Sequence, residues 1–242
     1  MRKKLLKSAL IAMAWVGVYS GNVMATTVNL SGANGESILH TVFANKGWAI
    51  DANLDQITED RYWQVSEGTD SGAWATMIIE LAGNSAVNTF GIFDQSGNEQ
   101  ELMNGGSTIL HKVSITWSAI TGKLSFAHLN NLGDFDTVGS NITMDQIFGF
   151  YIGTPNGKLY SDYAKNGDGQ DQMVSFAGTG ANGLSLNHYI IAFEDILGGD
   201  RDFNDMVLLV ESINPVPEPT TMLLFGAGLL GLAGVARRKS TN

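Results

Sequence analysis

HYIIAFEDILGGDRDFNDMVLLVES, residues 188–212, sets two short apolar runs on either side of an acidic segment. In the first run Tyr189, Ile191 and Phe193 alternate with His188, Ile190 and Ala192, so a strand here is mostly apolar on both faces. Met206 to Val210 reads the same way, and both runs predict inner strands. Gly198-Gly199 supplies a turn, because glycine tolerates positive φ. The two strands then form a hairpin that gathers Glu194, Asp195, Asp200, Asp202, Asn204 and Asp205 at one end, opposed only by Arg201.

Outward from this hairpin the same pattern recurs. ATMIIELAG (75–83), VNTFGIFD (87–94), KVSITWS (112–118), IFGFYIG (147–153) and QMVSFAG (172–178) are short and rich in β-branched and aromatic residues. Turn signals such as Ser96-Gly97-Asn98 and Asn156-Gly157 separate them. This predicts an all-β fold, an antiparallel, jelly-roll-like β-sandwich, as one domain over 26–214. Helices are few, with a short one expected within NLDQITEDRYW (53–63).

The 242 residues include no cysteine, which excludes disulfides, iron–sulfur clusters and thiolate metal sites. The four histidines, His40, His111, His128 and His188, lack the short spacings of zinc sites. The ends hold seven of the 14 basic residues and one of the 24 acidic ones. The body therefore has 7 basic and 23 acidic residues, a formal charge of −16. Such a body repels nucleic acid and anionic lipid, and attracts divalent cations.

Both ends read as addresses. Residues 1–25 carry Arg2, Lys3, Lys4 and Lys7, an apolar stretch from Ala9 to Val18, and Val23-Met24-Ala25. This predicts a secretory signal peptide cleaved after Ala25, the alternative being an uncleaved anchor. Residues 215–242 hold Pro217-Glu218-Pro219, then an uncharged run from Thr221 to Ala236, then Arg237, Arg238 and Lys239. The run reads as a hydrophobic transmembrane helix whose basic end stays cytoplasmic. The prolines keep the segment before it extended and accessible. The order of parts closely resembles the PEP-CTERM sorting signal of Gram-negative bacteria. That resemblance implies recognition of Pro217, Glu218 and Pro219 by the membrane enzyme exosortase and removal of the tail. A transient anchor through 221–236 then gives way to the cell surface or extracellular matrix, where such proteins accompany biofilm and exopolysaccharide. The alternative is a permanent anchor.

The acidic segment has its own chemistry. Two carboxylates about 4 Å apart repel by roughly 4 kcal/mol at an effective dielectric of 20. The side chains therefore either splay into water or gather a cation. Calcium takes six to eight oxygens in flexible geometry, which suits Asp195, Asp200, Asp202, Asn204 and Asp205 as ligands. In an extended stretch, Asp200, Asp202 and Asn204 project to one side, with Arg201 and Phe203 opposite. The D-x-D-x-N spacing matches the start of an EF-hand loop, but Asp205 stands where that loop needs glycine. Glu211, at the twelfth position, lies about 20 Å along a strand from Asp205. KNGDGQDQMVSF (165–176) is a second oxygen-rich stretch, with Asp168 and Asp171 as further candidate ligands.

YIIAFEDILGGDRDFNDMVLLVE resembles the C-terminal signature of the family called domain of unknown function 4114, whose motif is FEDLPGGGDRDYNDVV-like. Tyr160-Ser161-Asp162 and Asp168 to Asp171 fit the same pattern, which departs at Gln172, where histidine is usual. The resemblance spans roughly 35–212 and implies a β-rich, calcium-binding surface domain with no established catalysis. No G-x-S-x-G, H-E-x-x-H or G-x-x-x-x-G-K-[ST] motif is present. The expectation is a non-enzymatic calcium-binding surface or matrix protein. The alternative is a polysaccharide-acting hydrolase or a carbohydrate-binding module. Trp48, Trp63, Trp74 and Trp117 offer stacking surfaces for sugar if exposed and core if buried.

Overall fold

The computed structural model describes residues 28, 30, 39–65, 71–79, 87–104, 111–118, 120–130 and 132–217, the side chains of 71–79 excepted. The signal peptide expected over 1–25 and the apolar helix expected over 221–236 lie outside these residues. No helix among the described residues is long and apolar enough to cross a membrane.

A short helix, α1 (Leu39–Lys46), comes first. The strands β1 (Trp63–Val65), β2 (Ser71–Ile79), β3 (Thr89–Asp94), β4 (Glu99–Met103), β5 (Lys112–Ser118) and β6 (Lys123–Leu129) follow. After them come β7 (Phe135–Thr143), β8 (Ile147–Thr154), β9 (Gly157–Tyr160), β10 (Met173–Ala177), β11 (His188–Phe193), β12 (Met206–Glu211) and β13 (Ile213–Pro215). One sheet has the order β10-β11-β12-β2-β5-β6-β7. The other runs β13-β1-β8-β3-β4, with β9 also paired to β8. The pairings within both sheets are antiparallel. This is the all-β sandwich that the strand pattern predicts.

The hairpin quoted first forms as expected. Strands β11 and β12 pair in register from His188↔Glu211 to Phe193↔Met206. Their two apolar faces serve two different cores. Tyr189, Ile191, Phe193, Met206, Leu208 and Val210 face the interior between the sheets, with Trp63, Phe90 and Phe150 of the opposite sheet. Phe90 meets Phe193 edge-on at 6.4 Å, and Trp63 meets Tyr189 at 5.0 Å. On the outer side, Ile190, Ala192 and Val207 pack with Val28, Leu39, Phe43, Phe176 and Phe203. Helix α1 and the chain after it thus roof this part of the sheet. Each fully buried large apolar side chain contributes roughly 1.5–3 kcal/mol, so the roof stabilises the strands that carry the acidic segment.

The helix lies at 39–46 rather than within 53–63. Asp51 decides this locally: its Oδ1 accepts from the backbone N–H of Asn53 at 2.9 Å and of Leu54 at 3.2 Å. Such side-chain bonds offer the backbone a turn in place of a helix. Gln56 then bridges to Phe176, and the chain enters β1 at Trp63. At the other end β13 pairs with β1, and Val216 N–H donates to the Tyr62 carbonyl at 2.8 Å. Sheet pairing therefore reaches the residue before Pro217.

Candidate metal centre

The acidic segment connects β11 to β12, and almost all of it is buried. Glu194 is 2 % exposed, Asp195 3 %, Asp202 1 %, Asn204 0 % and Asp205 8 %. Gly198 supplies the turn at φ +70°, with Gly199 N–H donating to the Ile196 carbonyl at 3.0 Å. A Cβ on Gly199 would stand 2.2 Å from Glu194 Oε1, so glycine here allows the chain to close over that carboxylate. The stretch after it is not extended as predicted. Arg201 and Phe203 both adopt left-handed φ, 60° and 54°, which bulky residues rarely take. Phe203 inserts into the outer core, and Arg201 Nη1 reaches across to Gln170 Oε1 at 2.5 Å.

Glu194, Asp202 and Asp205 each offer one carboxylate oxygen to a group whose members all lie within 4.8 Å of one another. Oxygens bound to one calcium at 2.3–2.6 Å are at most about 5 Å apart, so a single ion can reach all three. Asp202 accepts from Asn204 through N–H at 3.2 Å and Nδ2 at 2.7 Å. Asp205 Oδ2 accepts from Asp195 N–H at 2.9 Å. Glu194 Oε2 is buried and accepts no hydrogen bond.

The electrostatics follow from this crowding. Burial, then Asp205, Asp200 and Asp202, push the Glu194 carboxyl up to about 8. Burial and the neighbouring Asp195 and Asp202 push Asp205 up to about 7, against a hydrogen bond from Asp195. With no cation, this crowding favours the protonated forms of both groups. A cation would displace those protons and relieve the repulsion together.

The sequence candidates fall into distinct places. Asp202 and Asp205 belong to the three-carboxylate group, while Asp195 and Asn204 brace it and Asp200 adds charge beside it. Asp168 and Asp171 lie outside the group. Asp168 accepts from Gln170 N–H at 2.9 Å and from Gln172 Nε2 at 2.9 Å. Gln172, where the resembled pattern usually has histidine, also accepts Glu194 N–H on its carbonyl at 3.1 Å, linking the two oxygen-rich stretches. Asp171 is pushed up to about 7 by burial; burial and the nearby Asp171 charge push up Asp60, whose Oδ2 accepts from Ser175 Oγ at 2.6 Å. Glu211 bonds His188 Nε2 at 2.9 Å at the far end of the hairpin, which agrees with rejecting an EF-hand loop. Of the scattered histidines, His111 and His128 do meet, with ring centroids 4.9 Å apart. Sequence reasoning did not place Glu194 in this group. Its signal was strand parity: it continues the Ile190–Ala192 face rather than that of Phe193.

Fold and site together define a β-sandwich domain with an acidic clasp. The family model for the Domain of unknown function (DUF4114) matches residues 130–212, which include both oxygen-rich stretches. The model for the PEP-CTERM protein-sorting motif matches residues 215–239, spanning Pro217, Glu218, Pro219, Arg237 and Arg238. The chain thus carries both features, the first over a shorter span than its resemblance suggested. The sorting motif marks an exported protein handled by exosortase. No curated protein and no solved structure matches.

Proposed function

We propose that this domain binds calcium through Glu194, Asp202 and Asp205, as a non-catalytic part of the cell surface or extracellular matrix. The observation that carries this reading is the buried group of three carboxylates with Glu194 Oε2 lacking any hydrogen-bond donor. Calcium is preferred over transition metals because every ligand atom in the group is a carboxylate oxygen. At 1–8 % exposure the carboxylates offer a small cation more room than a glycosidic bond, so ion binding is favoured over hydrolysis. The described tryptophans support no sugar platform. Trp63 is fully buried, and Trp48 and Trp117 pack against the two cores. Contact with extracellular polysaccharide then rests on the sorting class alone. Cleavage near Pro217–Thr220 would release the body from the membrane; the mass of the mature C-terminus checks it, and a chain retained to Asn242 overturns it.

The test of the site is thermal melting in calcium and in EGTA. A ligand bound only to the native state stabilises it by about 2.7 kcal/mol at a hundredfold excess over Kd. Wild type should melt higher in calcium, and an Asp200→Ala/Asp202→Ala variant should lose most of that rise. Identical wild-type melts in both conditions overturn the reading.

A further inference from the structure

One fully buried side chain near the acidic group comes from the opposite sheet. Asn88 immediately precedes β3 and is 0 % exposed. Its Nδ2 donates to Asp195 Oδ2 at 3.0 Å, a contact between residues 107 apart in the chain. A carboxylate only accepts, so the amide must present its nitrogen there, and its orientation follows. Oδ1 is then directed elsewhere, and it is buried with no hydrogen-bond donor. Buried amide oxygens are nearly always matched, so an unmatched one in a folded interior points to a partner of another kind.

The surroundings say which kind. Asp195, held by the Asn88 amide, passes its own N–H to Asp205 Oδ2 at 2.9 Å. Asn88 is therefore one residue removed from a member of the three-carboxylate group. The edge-on contact of Phe90 with Phe193 brings the start of β3 over the end of β11, where Glu194 begins. Glu194 Oε2 is likewise buried without a donor. Asn88 Oδ1 and Glu194 Oε2 are thus two buried acceptors without donors, one from each sheet, and Asp195 is bonded to Asn88 and to Asp205 of the acidic group. Neutral amide oxygen beside carboxylate oxygen is a ligand mixture that calcium takes readily.

We propose that Asn88, through Oδ1, is a ligand of the same cation, so that the ion ties the two sheets of the sandwich together. This rests on the calcium reading above and adds to it a ligand from the second sheet. Calcium then acts on the packing of sheet against sheet as well as on the β11–β12 loop.

Calorimetric titration of the full-length chain in mild detergent with calcium chloride tests it. Asn88→Leu should weaken calcium binding by about tenfold or more. The same substitution should weaken it again in an Asp195→Ser background, because a ligand is lost whether or not Asp195 is present. Asn88→Asp keeps an oxygen at the position and should bind far more tightly than Asn88→Leu, which keeps the proposal testable if the leucine variant misfolds. Three outcomes overturn the ligand assignment while leaving the calcium site standing. These are unchanged affinity in Asn88→Leu when Glu194→Gln abolishes binding, loss confined to the Asp195-intact background, and Asn88→Asp binding as poorly as Asn88→Leu. Absence of binding by wild type overturns the calcium reading and this inference with it.

Discussion

Two hairpin turns among the described residues bury acids, and they treat them in opposite ways. In the β3–β4 turn Asp94 is 0 % exposed, yet its carboxyl lies below the ordinary range. Burial raises it, but donors outweigh burial: Asn98 N–H and Nδ2 each at 2.8 Å, and Asp145 N–H at 2.9 Å. In the β11–β12 turn Glu194 has other carboxylates for neighbours and rises to about 8. Their exposure is nearly the same, but Glu194 lies deeper in the protein and lacks the N–H donors that Asp94 has. An acid surrounded by donors is a structural latch, complete in itself. An acid surrounded by acids needs a proton or a cation.

The largest expected effect breaks the latch. Asp94→Ala removes several charge-assisted hydrogen bonds and should cost about 3 kcal/mol or more. That loss should be the same in calcium and in EGTA, as urea melts will show; a calcium-dependent loss would erase the contrast between the turns.

Next comes the cation itself. Calcium should raise the wild-type Tm by several degrees, in line with about 2.7 kcal/mol at a hundredfold excess over Kd. Glu194→Gln should abolish that rise. In EGTA at pH 8 the same variant should melt above wild type, because it removes repulsion. A Glu194→Gln protein that is destabilised in EGTA would make the residue a latch like Asp94.

The pH dependence separates the turns further. The Glu194 and Asp205 pKa values are raised on folding, so their contribution is complete below the unfolded values near 4 and is lost as pH climbs toward 7–8. The Asp94 pKa is lowered, so its contribution is present above about 4 and is lost in acid. Calcium-free protein should therefore lose stability between pH 5 and 8, and calcium should flatten that slope. A calcium increment that does not grow with pH contradicts the proton–cation exchange. The smallest effect is steric. Gly199→Ala places a Cβ against Glu194 Oε1 and should weaken calcium binding a few-fold with little change in the EGTA melt; calorimetric titration reads it.

The two-sided strands were legible because burial leaves a local mark: Ile190, Ala192 and Val207 are apolar where an exposed face would be polar. Rejection of Glu211 as a ligand was legible for a similar reason, since strand length alone separates it from Asp205. Helix α1 was not legible. LHTVFANK is too short for its propensity to decide, and Leu39, Val42 and Phe43 become helical by packing on the outer sheet face. The extended reading of 200–204 failed because Phe203 is pulled into the outer core, which forces left-handed φ at alternate residues.

Sequence alone determined the two-sided strands, the acidic turn between them, the excess negative charge and the sorting tail, because each lies in a contiguous stretch with a local physical signature. Tertiary structure decided which acids converge. Glu194 joins Asp202 and Asp205 only after the loop folds back over Gly199, and Asn88 reaches Asp195 only after the sheets pack. Carboxylate chemistry is a property of residues, but whether a buried acid meets donors or other acids depends on long-range pairing that no local pattern encodes.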